Sequence, residues 1–187
     1  SHAQCIDTRR SFSGIVIKYA GNTVYWRTQK QAIVSHSSCE SELMALDLGA
    51  RAGKFVRWLI EVIGTPVPRP VRIFVDNQST ITIASNPIQP GRNMHVHARY
   101  FYVRDLVFAR DYVILHLRTA YQVGDILCSW KNEANFRFLA HVLKHCTFVV
   151  MLDGEYQWDL SLAPQVPDKE AREKRKALRK LTAAERK

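Results

Sequence analysis

Residues 37–46, Ser37-Ser38-Cys39-Glu40-Ser41-Glu42-Leu43-Met44-Ala45-Leu46, open the longest apolar-periodic stretch of the chain. Serine ahead of acids ahead of an apolar repeat marks a helix N-terminus. The hydroxyl accepts from the first free amides, and the carboxylates favour the positive end of the helix dipole. The repeat runs to Ile63, and Gly64-Thr65-Pro66 ends it. Ahead of this helix, Phe12 to Tyr19 (FSGIVIKY) is rich in branched residues and alternates weakly. Ala20-Gly21-Asn22 turns the chain and Thr23 to Arg27 (TVYWR) returns, so a β-hairpin is expected. After the helix, Val71 to Val75 (VRIFV) reads as a short strand of the buried type.

Further along, Asp76-Asn77 leads into a short helix to about Ala84, and residues 86–91 break the chain at Asn86-Pro87 and Pro90-Gly91. His95 to Arg110 has helical spacing, with Tyr100, Val103 and Val107 along one side. Tyr112 to Leu117 (YVILHL) is another strand, and Tyr121 to about Lys144 reads as a last helix. This order predicts an α/β domain with a mixed sheet flanked by helices. Beyond Cys146, two β-rich runs flank Asp153-Gly154, a hairpin signal. Residues 1–146 are thus expected to form the domain, 147–163 a hairpin extension and 164–187 a basic tail. From Asp168 onward the tail carries nine Lys/Arg against four Asp/Glu.

Hydrophobic residues make up 47% of the 187, enough for a sizeable core. No apolar run approaches the ~20 residues that span a bilayer, so no membrane partner is expected. Ser1 to Arg10 carries no signal-peptide pattern. Cys5, Cys39, Cys128 and Cys146 lack zinc-site spacing and read as reduced intracellular thiols. The formal net charge is +10, with a pI near 9.7. A protein this basic meets a polyanion, nucleic acid first among them. Lys30, Arg51, Lys54 and Arg57, and in the tail Arg172, Lys174, Arg175, Lys176, Arg179 and Lys180, are the candidate phosphate contacts. A solvated helix face is the equal alternative for the first four. His95 and His97 point to different helix faces, against a shared ion. Trp26, Trp58, Trp130 and Trp158 read as core or interface anchors rather than base-stacking platforms.

Three carboxylates sit where chemistry could be done. Glu42 lies in the first turns of a helix, Asp76 ends a strand and Asp125 lies near the start of the last helix; Glu40 is second in rank to Glu42. Converging carboxylates are the hard ligands that a pair of Mg²⁺ ions needs for phosphodiester cleavage. Spacing alone favours a plainer assignment, with Glu42 serving the helix dipole and Asp76 and Asp125 acting as caps.

Several segments carry a resemblance. Asp7-Thr8-Arg9-Arg10-Ser11-Phe12-Ser13-Gly14 resembles the DTRRSxSG segment of copia-type retrotransposon RNase H domains. So do Val24-Tyr25-Trp26 with Lys30-Gln31, the Ser37–Leu46 run, Val75-Asp76-Asn77-Gln78-Ser79, Asn86-Pro87 and Val123-Gly124-Asp125-Ile126-Leu127. The match runs in order from about Asp7 to Leu143. It implies a five-stranded RNase H-like fold with a DEDD site for two Mg²⁺, in which Glu42, Asp76 and Asp125 supply three ligands. The family's first aspartate belongs to a DADW-like segment on the central first strand. By position that aspartate and strand are expected before Ser1, so the sheet is expected to lack its first strand unless an upstream segment or partner chain supplies it. Met94 and His97 stand where the family has Lys and Asp, Cys128-Ser129 replaces Thr-Lys, and Leu43 replaces Tyr.

Two functions follow from the resemblance. One is a retrotransposon-derived, non-catalytic component binding RNA and other proteins in a ribonucleoprotein such as an organellar ribosome, with no cofactor. The other is an active ribonuclease H cutting the RNA strand of an RNA–DNA hybrid with Mg²⁺. The expected location is intracellular, in a mitochondrion or other organelle, with cytoplasm or nucleus as alternatives.

Overall fold

The computed structural model describes residues 5–86, 97–152 and 155–159. Strands β1 (Phe12–Tyr19) and β2 (Asn22–Lys30) pair antiparallel from Phe12↔Lys30 to Tyr19↔Asn22. Ala20 and Gly21 join them with φ of 47° and 78°. Positive φ at both central residues is what a tight two-residue hairpin turn requires. β2 runs three residues past the TVYWR stretch, where the ladder to β1 carries Gln29 and Lys30 despite the weak strand preference of lysine. Asp7 lies in the exposed turn ahead of β1.

Helix α1 (Ser38–Val62) starts as the serine–acid pattern predicts. The Ser37 hydroxyl accepts from the Glu40 amide at 3.1 Å, and the Glu40 carboxylate accepts from the His36 amide at 2.7 Å. It ends in a Schellman motif: Gly64 takes φ 86°, its amide donates to Glu61 O, and the Thr65 amide donates to Ile60 O.

Strand β3 (Val71–Val75) pairs in parallel with β4 (Tyr112–His116). Between them in sequence lie α2 (Gln78–Ser85) and α3 (His97–Phe108). Alternation along β3 gives it two faces. Val75 packs with Leu43, Leu46 and Ala50 of α1, Ala84 of α2, Val103 and Leu106 of α3, and Tyr112 and Ile114 of β4, with Val71 and Ile73 against them. Phe74 faces the other way and meets Tyr156 edge-on, with ring centroids 5.4 Å apart. Val107 packs on the first cluster as its helical spacing predicts; the side chain of Tyr100 lies outside the described residues.

The last helix departs from expectation. Two 3₁₀ turns (Thr119–Tyr121 and Val123–Leu127) precede α4 (Glu133–Lys144), in place of one helix from Tyr121. The break is chemical. The Asp125 carbonyl accepts from the Cys128 and Ser129 amides and from the Ser129 hydroxyl, and Asn132 caps α4 by accepting from the Asn135 amide at 2.8 Å. Such local bonds offer the backbone an alternative to helix. Leu139 and Val142 of α4 then bury against Val123, with Val16 of β1 packed on them.

Strands β5 (Phe148–Leu152) and β6 (Glu155–Asp159) form the expected C-terminal hairpin, whose Asp153-Gly154 turn lies outside the described residues. Trp158 packs into the α4 cluster and donates its indole N–H to Tyr121 O at 2.8 Å. The whole is a mixed α/β arrangement of helices and small sheets. One continuous mixed sheet was expected; among the described residues the strands form three two-stranded sheets, β1–β2, β3–β4 and β5–β6. No ladder joins the antiparallel hairpin to the parallel pair. α1 bridges them instead, packing on both. The basic tail lies outside the described residues.

Candidate functional site

The hairpin and α1 are tied together by buried polar groups. Gln31, at the end of β2, donates its amide N–H to the Ser13 hydroxyl at 2.9 Å and the Ser41 carbonyl at 2.9 Å, with the Ser41 hydroxyl at 3.3 Å. Glu42 is the next residue on α1, so this network fixes where its carboxyl emerges.

Glu42, Asp76 and Asp125 come from three different elements. Glu42 lies in the second turn of α1, Asp76 follows the last residue of β3, and Asp125 sits in the second 3₁₀ turn. Burial pushes the Glu42 carboxyl up to about 7; the charge of Asp76 adds to this, and that of Asp125 adds less. Glu42 therefore senses both other acids. The capping alternative falls to other residues: Asn77 caps α2, accepting from the Ser79 and Thr80 amides, and Asn132 caps α4. The dipole alternative for Glu42 is met by Glu40, which occupies the first turn and is spent on the His36 amide. The side chains of Asp76 and Asp125 thus cap neither α2 nor α4.

A lysine completes the group. Lys131 Nζ lies 2.6 Å from Asp125 Oδ2, with the two side chains 13% and 20% exposed. At that burial a charge-assisted bond is short and strong, and it occupies an oxygen a metal ion would need. Nothing in the sequence singled out Lys131, which stands six residues beyond Asp125. Among the described residues, no group of three His, Cys, Asp or Glu side chains is arranged to hold a metal ion. As placed, Asp125 spends one carboxylate oxygen on an ammonium, which a pair of Mg²⁺ ions would have to displace.

The expected phosphate contacts separate into kinds. Lys30 is exposed at the end of β2, 3.7 Å from Cys5 Sγ. Arg51 and Lys54 are exposed on α1 and lie over the Tyr102 ring at 5.3 and 5.9 Å, with Arg51 also paired to Asp47 at 3.1 Å. Arg57 is turned inward, 8% exposed, bonding Asp111 at 3.3 Å. Its salt bridge to the part-buried Asp111 uses its charge inside the fold. Arg172, Lys174, Arg175, Lys176, Arg179 and Lys180 lie outside the described residues, as do His95 and the side chain of His97. Of the tryptophans, Trp158 is a core anchor, whereas Trp26, Trp58 and Trp130 are exposed, Trp130 at 94%. The four cysteines are thiols of intermediate exposure.

Fold and site together define an α/β domain in which Asp125 is paired to Lys131 and the buried Glu42 carboxyl is raised by the charge of Asp76 and, less, of Asp125. The chain is similar to the retrovirus-related Pol polyprotein from transposon TNT 1-94 of Nicotiana tabacum, 27% identical over 125 residues, 65% of this chain and 9% of that protein. Similar again are the Pol polyproteins from transposons RE1 and RE2 of Arabidopsis thaliana, 25% identical over 130 residues and 24% over 127, covering 70% and 68% of this chain and 9% of each. The chain thus spans about a tenth of the length of these relatives, and the likeness supports a retrotransposon-derived region. No family model and no solved structure matches it. No helix among the described residues is long and apolar enough to cross a membrane.

Proposed function

We propose that this chain is a copia-type RNase H-like domain that binds RNA or an RNA–DNA hybrid without cleaving it, as one component of a ribonucleoprotein. The single observation that carries the reading is the Lys131–Asp125 ion pair at 2.6 Å inside the acidic group. An internal ammonium holds the Asp125 oxygen that divalent-ion chemistry would require, so that one acid is compensated by the chain itself. Binding is supported by the net charge of +10 and by the exposed Lys30, Arg51 and Lys54. An organellar ribonucleoprotein, such as an organellar ribosome, is the setting that this role fits.

The convergence of Glu42 with Asp76 and Asp125 favours the second reading, an active ribonuclease H. One experiment separates them. The purified chain is titrated into labelled RNA and a labelled RNA–DNA hybrid by fluorescence anisotropy at several salt concentrations, then incubated with the hybrid and Mg²⁺ or Mn²⁺. The non-catalytic reading expects salt-dependent binding and intact hybrid. Cleavage that disappears in Asp76→Asn establishes the enzyme instead, and no binding at low salt removes both.

A further inference from the structure

We propose that His141 and His145 form a chelating site for a late first-row divalent cation of the Zn²⁺, Ni²⁺ and Cu²⁺ class, at the C-terminal end of α4. The two residues are four apart, His141 in the last turn of the helix and His145 as its C-cap. Residues at this spacing face the same way on a helix. Their rings are already in contact, with centroids 4.3 Å apart and planes inclined by 43°. A ligating imidazole nitrogen sits about 2.0–2.1 Å from the ion, so two on one tetrahedral centre are roughly 3.3 Å apart. With the rings this close, the site requires only that side-chain rotation turn one nitrogen of each ring toward a common point.

The surroundings suit a cation and hold the site still. The negative end of the α4 dipole lies here. Four carbonyls at this helix end are engaged: His145 N donates to His141 O at 3.0 Å, Thr23 Oγ1 donates to Leu143 O at 2.6 Å, and Lys18 Nζ donates to Val142 O at 2.7 Å and His145 O at 3.1 Å. These bonds lock the helix end to the β1–β2 hairpin, so little order must be gained on binding. Two cations stand at the turn: Lys144, which belongs to it and is exposed, and Lys18, which reaches it from β1; burial lowers the Lys18 pKa, and its protons are directed at the carbonyls rather than at the rings.

Both rings are half-buried, so solvent reaches the pair. No third His, Cys, Asp or Glu among the described residues completes the set, and water fills the remaining positions. An imidazole pair selects against the hard Mg²⁺ ion, and its affinities should rise from Co²⁺ through Ni²⁺ to Cu²⁺. The site is separate from the acidic group on α1, β3 and the 3₁₀ turn, and it stands whether or not the chain binds nucleic acid. An ion here would pin the end of α4 to the chain leading into β5.

The test is calorimetric titration of the full chain with Ni²⁺, alone and in excess Mg²⁺. The expected result is one Ni²⁺ per chain, indifferent to Mg²⁺. His141→Ala and His145→Ala should each weaken binding by at least about tenfold, since even an outer-shell partner of a metal ligand is worth about 10–100-fold. His141→Gln and His145→Gln, which keep a polar side chain, repeat the test should either alanine variant misfold, as circular dichroism without metal would show. Paramagnetic broadening of the ring protons by Ni²⁺ should fall on both histidines. Affinity that survives in either single variant, or that Mg²⁺ competes away, overturns the site.

Discussion

Replacing Glu42 by Gln should stabilise the protein at alkaline pH and leave its acid stability little changed. The side chain ionises near 4.5 when unfolded, whereas burial beside Asp76 and Asp125 holds the folded carboxyl at about 7. Below the unfolded value both states carry the proton, and the site contributes nothing to pH dependence. As pH rises from 4.5 to 7 the unfolded chain releases a proton that the folded chain keeps, so stability falls. Above 7 the loss is complete. Each tenfold displacement of a proton equilibrium is worth about 1.4 kcal/mol, which makes the full loss at most about 3 kcal/mol. Glutamine cannot ionise, so Glu42→Gln escapes it. Urea unfolding at pH 4.5, 6 and 8 measures the difference. The gap between variant and wild type should open from a small constant offset at pH 4.5 to about 3 kcal/mol at pH 8. With a urea slope of about 2 kcal/mol/M the midpoint then moves by about 1.5 M. A gap that does not change with pH, or a variant less stable than wild type at pH 8, refutes the buried acidic group.

Lys131→Met strands Asp125 beside Glu42 and should cost about 1–3 kcal/mol at pH 8, read by the same unfolding assay; an unchanged midpoint would mean that the ion pair is idle. Gln31→Ala removes the donor shared by Ser13 and Ser41 and should cost about 1–3 kcal/mol, because buried acceptors lose their partner. Gly14→Ala should prevent stable folding or cost more than about 3 kcal/mol, since an added methyl would run into the Gly124 backbone carbonyl and neither side can yield cheaply; a melting temperature near wild type would contradict this close approach. Trp158→Ala should cost about 3–5 kcal/mol by uncovering Leu139 and Val142, and near-UV circular dichroism would report the loss.

Local chemistry made much of this protein legible from the sequence. Ser37 with Glu40, Gly21 after Ala20, Gly64 after Ile63 and the periodicity of residues 38–62 are each decided within a few residues of chain, so the elements they start, turn or stop appear where expected. The three acids were legible as element-end carboxylates, and their pattern was sharpened by the resemblance. What sequence could not decide depends on groups far apart in the chain. The break between Asp125 and Asn132 needed competing side-chain bonds, and the split into three small sheets needed knowledge of which strand edges meet. Arg57 looked like a surface base until Asp111, 54 residues away, took it inward. Trp130 was open to a core or an interface position until packing left it outside the core. The state of the acidic group belongs to the same class. Burial and neighbouring charge set the proton affinity of Glu42, and both are properties of the assembled environment, because Coulomb energy and desolvation follow distance in space and not order along the chain.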